Sequence, residues 1–248
     1  GDRAEGVADE AMRHAITKLA NLHFPATQTS AERIIKMGED PSRVHVVGSP
    51  AGDGLEAIDP ANEDIFGELG MPECVVMMHP IGRDDDREYA AICQVLDAVG
   101  GKRTLVMHPN FDPGRQGIMR AIKECAGAFV VREHFPRDEF IGVLKRVASN
   151  GGALVGNSSA GLIECSIIGC PSVDIGDRQN GRERCDGWTA HANADTESIR
   201  SAVESICSQT DRGSGHPYGD GTSGVQIAQI LATIDTSASR FTRKQCAY

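Results

Sequence analysis

The sequence is poor in aromatic residues and in positive charge, and it lacks any long apolar run. Aromatic residues make up 4% of the 248 residues, and 25 basic residues face 35 acidic ones, which gives a formal net charge of −10. Nucleic-acid binding needs a basic face that displaces counterions, so this charge disfavours that class. No run approaches the roughly 20 apolar residues of a membrane span. We therefore expect neither a nucleic-acid partner nor a membrane partner.

Metal-binding spacings of cysteine are absent as well. Eight cysteines are present, but no CxxC pair or Cys/His metal pattern appears among them. Cys93, Cys125, Cys165 and Cys207 all fall within helical patterns. This usage is typical of free thiols in a reducing compartment, so we expect a cytoplasmic protein with neither a metal nor a cofactor.

Glycine, by contrast, is abundant, with 28 residues along the chain, as in α/β proteins with tight strand–helix turns. From residue 74 onward, short apolar segments alternate with helical patterns. The predicted strands cover 74–79, 103–108, 128–131, 152–156 and 171–175, and the predicted helices cover about 86–99, 114–126, 137–149, 160–168, 195–208 and 220–234. This alternation predicts a parallel sheet covered on both faces, with ligands bound at the carboxyl ends of its strands.

The first 60 residues have a different pattern. Apolar residues at helical spacing predict a helix that begins at about residue 9. Short strands are predicted at 23–27 and 43–47, and a capping-box signal at Thr29 predicts a helix between them. The stretch 48–63 is rich in Gly, Pro, Asp and Asn and is the candidate linker. These few elements do not make an independent sheet with both faces covered.

The segment GNSSAGLIE, residues 156–164, follows one predicted strand and opens a predicted helix. Free N–H groups at a helix start and the hydroxyls of Ser158 and Ser159 suit phosphate oxygens. Glu164, expected about one and a half turns into the helix, suits the hydroxyls of a ribose. A helix capped by one of the two serines has the same sequence pattern. The segment alone leaves both interpretations open.

The segment GDRQNGRER, residues 176–184, follows the next predicted strand and should therefore emerge at the same sheet edge. Arg178, Arg182 and Arg184 suit a diphosphate, because guanidinium groups match the geometry of phosphate oxygens. A solvated basic loop is the alternative. Phosphate-binding chemistry on two adjacent strand ends favours the ligand interpretation over that alternative.

Histidines end three of the predicted strands, at His79, His108 and His134. A histidine in such a position can donate a proton or bind phosphate near neutral pH, although a single one is more often structural. Asp9 and Glu10 lie where the first predicted helix begins. They are either simple helix-start acids, which the helix dipole favours, or a source of a general base.

Together these segments resemble the UDP-N-acetylglucosamine 2-epimerase family. The matching text runs in order along most of the chain and comprises RHAITKLA (13–20), GSP (48–50), the His79-Pro80 strand end, HPNFD (108–112), GNSSAGLIE, DRQNGRE (177–183) and PYGDG (217–221). The NSS and RQxGRE forms are more similar to the hydrolysing branch, which releases UDP and N-acetylmannosamine.

The resemblance implies an α/β, glycosyltransferase-B-like fold. A Rossmann-like parallel-sheet domain would stand beside the remainder of a second Rossmann-like domain. Residues 1–60 would be the C-terminal remnant of the first domain with the linker, 61–219 the UDP-binding domain, and 220–248 a C-terminal helix and tail that pack back toward the first domain. The family's initial strand, glycine-rich loop and helix, which carry a basic residue for the diphosphate, have no counterpart in these 248 residues.

The resemblance also implies site residues. Catalysis would involve His79 with the acids Asp9, Glu10 and Asp2. The UDP contacts implied by the family motifs are Asn110, His134, Phe135, Ser158, Ser159, Glu164 and Arg178, with Arg182 as a further phosphate ligand. No metal or cofactor is implied.

The implied reaction begins when a base removes the proton from C2 of the sugar and UDP leaves. Water then adds to the 2-acetamidoglucal with inverted configuration at C2, which yields a precursor of sialic-acid-type sugars. The resemblance further implies a UDP-sugar substrate and a homodimer or homotetramer. The alternatives are a UDP-diacetamido-sugar 2-epimerase, a catalytically silent UDP-binding module, and a glycosyltransferase with a UDP donor.

Overall fold

The computed structural model describes residues 1–5, 9–125, 127–213, 215–235 and Lys244. Six parallel strands form one sheet: β1 (Cys74–Met77), β2 (Thr104–Met107), β3 (Val130–Arg132), β4 (Ala153–Gly156), β5 (Ser172–Ile175) and β6 (Thr189–Ala192). The helices are α1 (Glu10–Leu19), α2 (Gln28–Lys36), α3 (Glu63–Glu68), α4 (Asp85–Ala98), α5 (Arg115–Glu124), α6 (Arg137–Ser149), α7 (Glu164–Ile168), α8 (Thr196–Ser208) and α9 (Ser223–Thr233).

The order of strands across the sheet is β3-β2-β1-β4-β5-β6. After β1 the chain winds outward through β2 and β3, and it then returns to the other side of β1 to form β4. The order therefore reverses between β1 and β4. In open parallel sheets the crevice at such a reversal, outside the carboxyl ends of the strands, is where ligands bind.

Helices cover both faces of the sheet, because successive side chains of a buried strand point to opposite sides. Cys74 and Val76 of β1 pack in one cluster with apolar residues of α4, α5 and α8. Val75, between them, packs in a second cluster with residues of α3, α6 and α7. The parallel sheet with two covered faces, predicted from the alternation of strands and helices, is thus observed.

Several local predictions differ from the structure. Residues 23–27 and 43–47 form no regular strands and are joined by one isolated parallel bridge between His23 and Val44. The cap of α2 is Thr27, whose side chain accepts a hydrogen bond from the Ser30 amide, rather than the predicted Thr29. The hydroxyl of Thr29 instead donates to Glu183 at 2.8 Å. The capping-box pattern in the sequence begins at Thr29, two residues after the observed cap, so the predicted start of the helix is displaced.

Two differences lie at the edge of the sheet that carries the motifs. The predicted helix 160–168 is a 3-10 turn over Ser159–Gly161 followed by α7, so Glu164 begins a helix instead of lying one and a half turns into it. Strand β6 was not predicted, because its sequence Thr-Ala-His-Ala lacks the apolar run of the other strands and it pairs only with β5.

The segment that joins the first residues to the sheet is ordered and packed. Leu55 is buried, and the ammonium group of Lys145 on α6 donates to the carbonyls of Leu55, Glu56 and Ile58. The carboxylate of Asp53 accepts from the first amides of α9. Most of the predicted C-terminal tail lies outside the described residues. No helix within the described part of the chain is long and apolar enough to cross a membrane.

Candidate functional site

Four loops converge at the carboxyl ends of the strands around the crevice between β1 and β4. His79 follows β1, Asn110 follows β2, Asn157 follows β4 and Arg178 follows β5. Each loop contacts at least one other through a hydrogen bond. The histidine-ended strand and the two motif segments, which are far apart in sequence, are therefore neighbours in space.

Asn157, which sequence reasoning did not single out, holds the main chain of His79. Its Oδ1 accepts from the His79 amide at 2.7 Å, and its Nδ2 donates to the His79 carbonyl at 2.8 Å. The amide of Asn157 itself donates to the carbonyl of Met77 in β1. This buried side chain therefore joins the ends of β4 and β1, where the strand order reverses.

The ring of His79 has a defined tautomer. The amide of Asn110 donates to its Nδ1 at 3.1 Å, so that nitrogen is an acceptor and the proton of the neutral ring lies on Nε2. Burial, with Arg178 close by, lowers the pKa of His79 to about 4, although Asp112 opposes the shift. The ring is therefore a neutral hydrogen-bond donor at neutral pH.

Arg178 and Gln179 join the loop after β5 to the same point. Arg178 Nη1 and Gln179 Nε2 both donate to the Asn157 carbonyl, at 3.1 and 2.7 Å. Arg178 also lies 4.0 Å from the carboxylate of Asp112. Its buried Nε has no hydrogen-bond partner among the described residues. The guanidinium group thus brings positive charge and an unused donor to the crevice.

The motif segment 156–164 begins with a close approach of two strands. A Cβ atom at Gly156 would lie 2.0 Å from the carbonyl oxygen of Met77, so only glycine fits there. Ser158 caps the 3-10 turn by accepting from the Ala160 amide at 3.3 Å, which is the capping interpretation of the sequence. Its hydroxyl proton is still available to a ligand. The neighbouring Ser159 is partly exposed.

Glu164 follows this turn as the first residue of α7. Burial raises the pKa of its carboxyl group above the ordinary value. Its Oε2 is buried and has no hydrogen-bond partner within the part of the chain that the structure describes. A buried carboxylate oxygen without a partner is rare in folded proteins, and a ligand hydroxyl is one way to satisfy it.

Arg182 and Asp2, both predicted as site residues, bind each other. Arg182 Nε and Nη2 reach the Asp2 carboxylate at 3.1 and 2.6 Å, and Arg13 Nη1 adds a contact at 2.9 Å. Burial opposes ionisation, but the bond from Arg182 and both nearby guanidiniums lower the pKa of Asp2. Arg182 therefore holds the first segment against the loop after β5 and does not face the crevice as a free phosphate ligand.

The other predicted acids lie where α1, the helix that carries Arg13, begins. Asp9 accepts from Arg13 Nε at 3.2 Å. Glu10 accepts from the Ala4 amide through Oε2 at 3.0 Å and contacts His14 Nε2 through Oε1 at the same distance. The acids are thus placed by local contacts of α1.

The two predicted nucleotide contacts after β3 have different surroundings. His134 is exposed, whereas Phe135 is buried and packs in the apolar cluster under β1 and β2. Phe135 therefore contributes mainly to the core, because nine-tenths of its surface is already covered by protein. The structure leaves His134 open to a ligand.

The third arginine of the loop, Arg184, binds a strand. Its side chain reaches the fully buried carboxylate of Asp174 in β5 at 2.7 Å, and Nη2 contacts Asn180. Burial raises the pKa of Asp174, which the nearby Arg184 opposes. The loop is therefore anchored by its arginines and is not the solvated basic loop that the sequence left open.

No group of three potential metal ligands occurs in the described residues.

Two of the remaining motifs meet at the junction of the first segment with the C-terminal one. The amide of Ser49 donates to the Tyr218 carbonyl at 2.8 Å. A Cβ atom at Gly48 would lie 2.8 Å from the Cα of Gly219, so the two backbones touch. The hydroxyl of Tyr218 donates to the Glu183 carbonyl at 2.5 Å, which connects this junction to the arginine loop.

Comparison with known proteins gives consistent results. The profile of a family described as UDP-N-acetylglucosamine 2-epimerase matches residues 1–232. A UDP-N,N'-diacetylbacillosamine 2-epimerase (hydrolyzing) of Legionella pneumophila is 31% identical over 94% of this chain and 63% of its own length. A UDP-N-acetylglucosamine 2-epimerase of Neisseria meningitidis is 29% identical over 84% of this chain and 56% of its own length. The chain thus spans about three fifths of these relatives.

Among solved structures, the fold is similar to that of the Methanocaldococcus jannaschii UDP-GlcNAc 2-epimerase in complex with UDP-GlcNAc and UDP. The TM-score is 0.75 at 17% identity, and the match covers 94% of this chain and 67% of that one. The α/β, glycosyltransferase-B-like fold class expected from the sequence is thereby confirmed.

Proposed function

Because this chain belongs to the UDP-N-acetylglucosamine 2-epimerase family, we propose that it acts as a hydrolysing 2-epimerase. The proposed reaction converts UDP-N-acetylglucosamine into UDP and N-acetylmannosamine. The observation that carries the proposal is the convergence of His79, Arg178 and the start of the 156–164 segment on one crevice. The same segment ends at Glu164, whose buried Oε2 has no hydrogen-bond partner among the described residues.

In this proposal the crevice binds the UDP part of the substrate. The carboxylate of Glu164 accepts hydrogen bonds from the ribose hydroxyls, which gives its buried Oε2 a partner. The hydroxyls of Ser158 and Ser159 donate to phosphate oxygens, and Arg178 supplies positive charge to the diphosphate. Asn110 and His134 border the nucleotide, whereas Phe135 packs in the apolar core next to His134 in sequence.

The proposed chemistry is an elimination followed by an addition of water. A carboxylate takes the proton from C2, the C1–O bond to UDP breaks with its electron pair leaving on the phosphate, and a C1–C2 double bond forms. Water then adds its hydroxyl to C1, and C2 receives a proton on the opposite face. The product is N-acetylmannosamine, and no oxidant, reductant or metal enters the balance.

His79 and the acids of the first segment have different roles in these steps. The Nε2–H of the neutral His79 ring donates to the departing diphosphate, because Nδ1 is occupied by the Asn110 amide. The neutral ring keeps this proton, and its hydrogen bond stabilises the negative charge that develops on the departing diphosphate. Asp2, held by Arg182 and Arg13, is a weak base, and we assign proton abstraction to Asp9 or Glu10.

UDP release from UDP-N-acetylglucosamine by the 248-residue protein tests the proposal, with the sugar product identified by NMR. We expect N-acetylmannosamine and one UDP per sugar, and loss of turnover in His79→Ala. UDP-diacetamidobacillosamine and UDP-N-acetylgalactosamine serve as competing donors. Absence of UDP release from every donor, together with no calorimetric signal for UDP, would reject both the reaction and the binding site.

One alternative substrate is supported by a specific observation. The relative from Legionella pneumophila, 31% identical, is named as acting on UDP-N,N'-diacetylbacillosamine. A higher kcat/KM with the diacetamido donor than with UDP-N-acetylglucosamine would move the assignment to that substrate and leave the reaction type unchanged.

The second candidate function is a UDP-binding module without turnover. The chain spans 63% of the length of the Legionella relative, so a catalytic group of the whole enzyme can lie in a part that this chain does not match. Tight binding of UDP by a protein that releases no UDP from any donor would favour this candidate.

Two further properties belong to the same proposal. The seven cysteines that the structure describes are free, which supports a reducing, cytoplasmic setting. A homodimer or homotetramer is proposed from the family resemblance, and light scattering of the purified protein measures it directly.

A further inference from the structure

A continuous chain of hydrogen bonds runs from the first segment to the histidine-bearing strand end. Asp2 binds Arg182 through both carboxylate oxygens. Arg182 Nη1 donates to Gln179 Oε1 at 2.5 Å, and Gln179 Nε2 donates to the Asn157 carbonyl at 2.7 Å. Asn157 in turn holds the main chain of His79 with two hydrogen bonds. His79 of the proposed reaction thus lies at one end of the chain. At the other end lies Asp2, which shares Arg13 with Asp9, one of the two proposed bases.

Gln179 is the central member and the most deeply buried one. Its side chain has no exposed surface, and Asn157 is 2% exposed. Both polar atoms of the Gln179 amide are used, one as an acceptor and one as a donor. A buried amide whose oxygen and nitrogen both have partners rigidifies its surroundings, and its loss leaves those partners unsatisfied.

We propose that Gln179 is a positioning residue that fixes the carboxylate of Asp2 relative to the ring of His79. It does so through Arg182 on one side and Asn157 on the other. The inference rests on the proposed function, since that function assigns roles to His79 and to the acids of the first segment, of which Asp9 is joined to Asp2 through Arg13. The primary amide is required because only a group that accepts from a guanidinium and donates to a carbonyl connects both sides.

The role has a consequence for the reaction. The distance between the acidic first segment and His79 determines whether proton removal at C2 and departure of UDP occur on the same bound sugar. Misplacement of about 1 Å in such an arrangement costs about 100-fold in rate. Gln179 itself touches neither the proton nor the leaving group in this scheme, so its loss should affect kcat more than binding.

Two substitutions of Gln179 distinguish its hydrogen bond with Arg182 from its hydrogen bond with Asn157. Gln179→Met keeps the volume and removes both hydrogen bonds. Gln179→Glu still accepts from Arg182 but, when ionised, has no proton for the Asn157 carbonyl. Gln94→Met is the matched control, because Gln94 is a part-buried amide that binds Thr196 between α4 and α8 and does not belong to this chain of hydrogen bonds.

The first measurement needs no ligand and is made on the full chain. The ¹⁵N shifts of the His79 ring and the ¹³C shift of the Asp2 carboxyl are recorded by NMR for each variant. We expect both ends to shift in Gln179→Met, the His79 end to shift in Gln179→Glu, and neither end to shift in Gln94→Met. A shift at only one end of Gln179→Met, or at neither, overturns the inference whatever the activity of the protein.

The second measurement compares the steady-state kinetics and UDP binding of Gln179→Met with those of the wild type. In Gln179→Met we expect kcat to fall about 10- to 100-fold, with KM for the UDP-sugar and Kd for UDP within about threefold of the wild type. An unchanged kcat overturns the positioning role even when both NMR signals move. If the wild type has no turnover, the proposed function fails by itself and the NMR result alone decides the inference. If Gln179→Met does not fold, Gln179→Glu decides it through the His79 shift.

Discussion

The side chain of Asn157 pairs with the main chain of His79 across the point where the strand order of the sheet reverses. Oδ1 accepts from the His79 amide at 2.7 Å and Nδ2 donates to the His79 carbonyl at 2.8 Å. The two residues lie 78 positions apart in sequence. This pair therefore fixes the histidine of the proposed site relative to the motif segment that begins at Gly156.

Asn157→Asp should destabilise the protein strongly. The substitution keeps the size of the side chain but replaces the donor to the His79 carbonyl by an oxygen, and it buries a carboxylate. We expect the free energy of unfolding, measured with urea, to fall by about 2–4 kcal/mol. The exposed Asn193→Asp should change it by less than about 0.5 kcal/mol. Equal effects of the two substitutions would contradict the pairing.

Gly156→Ala should be among the most damaging small substitutions in the chain. The new Cβ would lie 2.0 Å from the Met77 carbonyl oxygen, which belongs to the neighbouring strand. We expect a loss of at least about 3 kcal/mol in unfolding free energy, or no folded protein. Gly67→Ala is the control, because a Cβ there meets nothing within 4 Å inside α3. That variant should gain about 0.5–1 kcal/mol. A well-folded Gly156→Ala protein would show that the two strands can separate.

His79 should make stability depend on pH. The unfolded chain takes up this proton near pH 6.5, whereas the folded ring, with its pKa lowered to about 4, stays neutral. The contribution of the neutral His79 ring to the free energy of unfolding is therefore fully present above pH 6.5. It is lost as the pH falls from 6.5 to 4, which lowers the free energy of unfolding by up to about 3 kcal/mol.

The measurement for this prediction is urea unfolding of wild type and His79→Gln between pH 4 and pH 7.5. The difference between the two proteins isolates His79, because the buried His23, whose pKa is also lowered by burial, titrates in both. We expect the wild type to lose more stability than the variant on acidification. If the unfolding free energies of the two proteins change with pH in parallel, folding does not lower the pKa of the His79 ring.

Glu164→Ala should weaken the binding of UDP. The substitution removes the carboxylate that we assign to the ribose hydroxyls, and a hydrogen bond to a charged group contributes about 1.5–3 kcal/mol. Calorimetry should show Kd for UDP rising by about 10- to 150-fold. Glu139→Ala, an exposed change on α6, should leave Kd unchanged. An unaltered Kd in Glu164→Ala would exclude the ribose assignment.

Much of the fold was open to prediction from local patterns. Short apolar strands and helices of 10 to 14 residues leave a periodic signal that depends only on nearby residues, so the first five strands and α4, α5, α6, α8 and α9 were predicted close to their observed bounds. Strand β6 was missed because an edge strand needs no apolar run. The late start of α7 was missed because tight packing of Gly161 against Leu154 and Ser172, not local propensity, shapes that turn.

The candidate site was only partly open to prediction. The sequence alone predicted the candidate site residues His79, Ser158, Glu164 and Arg178, because strand ends and helix starts place such groups at one sheet edge. Asn157 and Gln179 lie inside the motif segments, yet nothing in their type indicated that they would bind distant backbone groups.

The sequence by itself determined that residues with phosphate-binding and acid–base chemistry follow successive parallel strands, because that placement follows from periodicity and turn chemistry. Only the tertiary structure decided which of them face the crevice. Arg182, predicted as a phosphate ligand, and Asp2, predicted as a catalytic acid, neutralise each other, whereas Nε of Arg178 has no hydrogen-bond partner among the described residues. Ion pairs and buried hydrogen bonds join residues more than a hundred positions apart, and their partners depend on how the whole chain packs rather than on any local pattern.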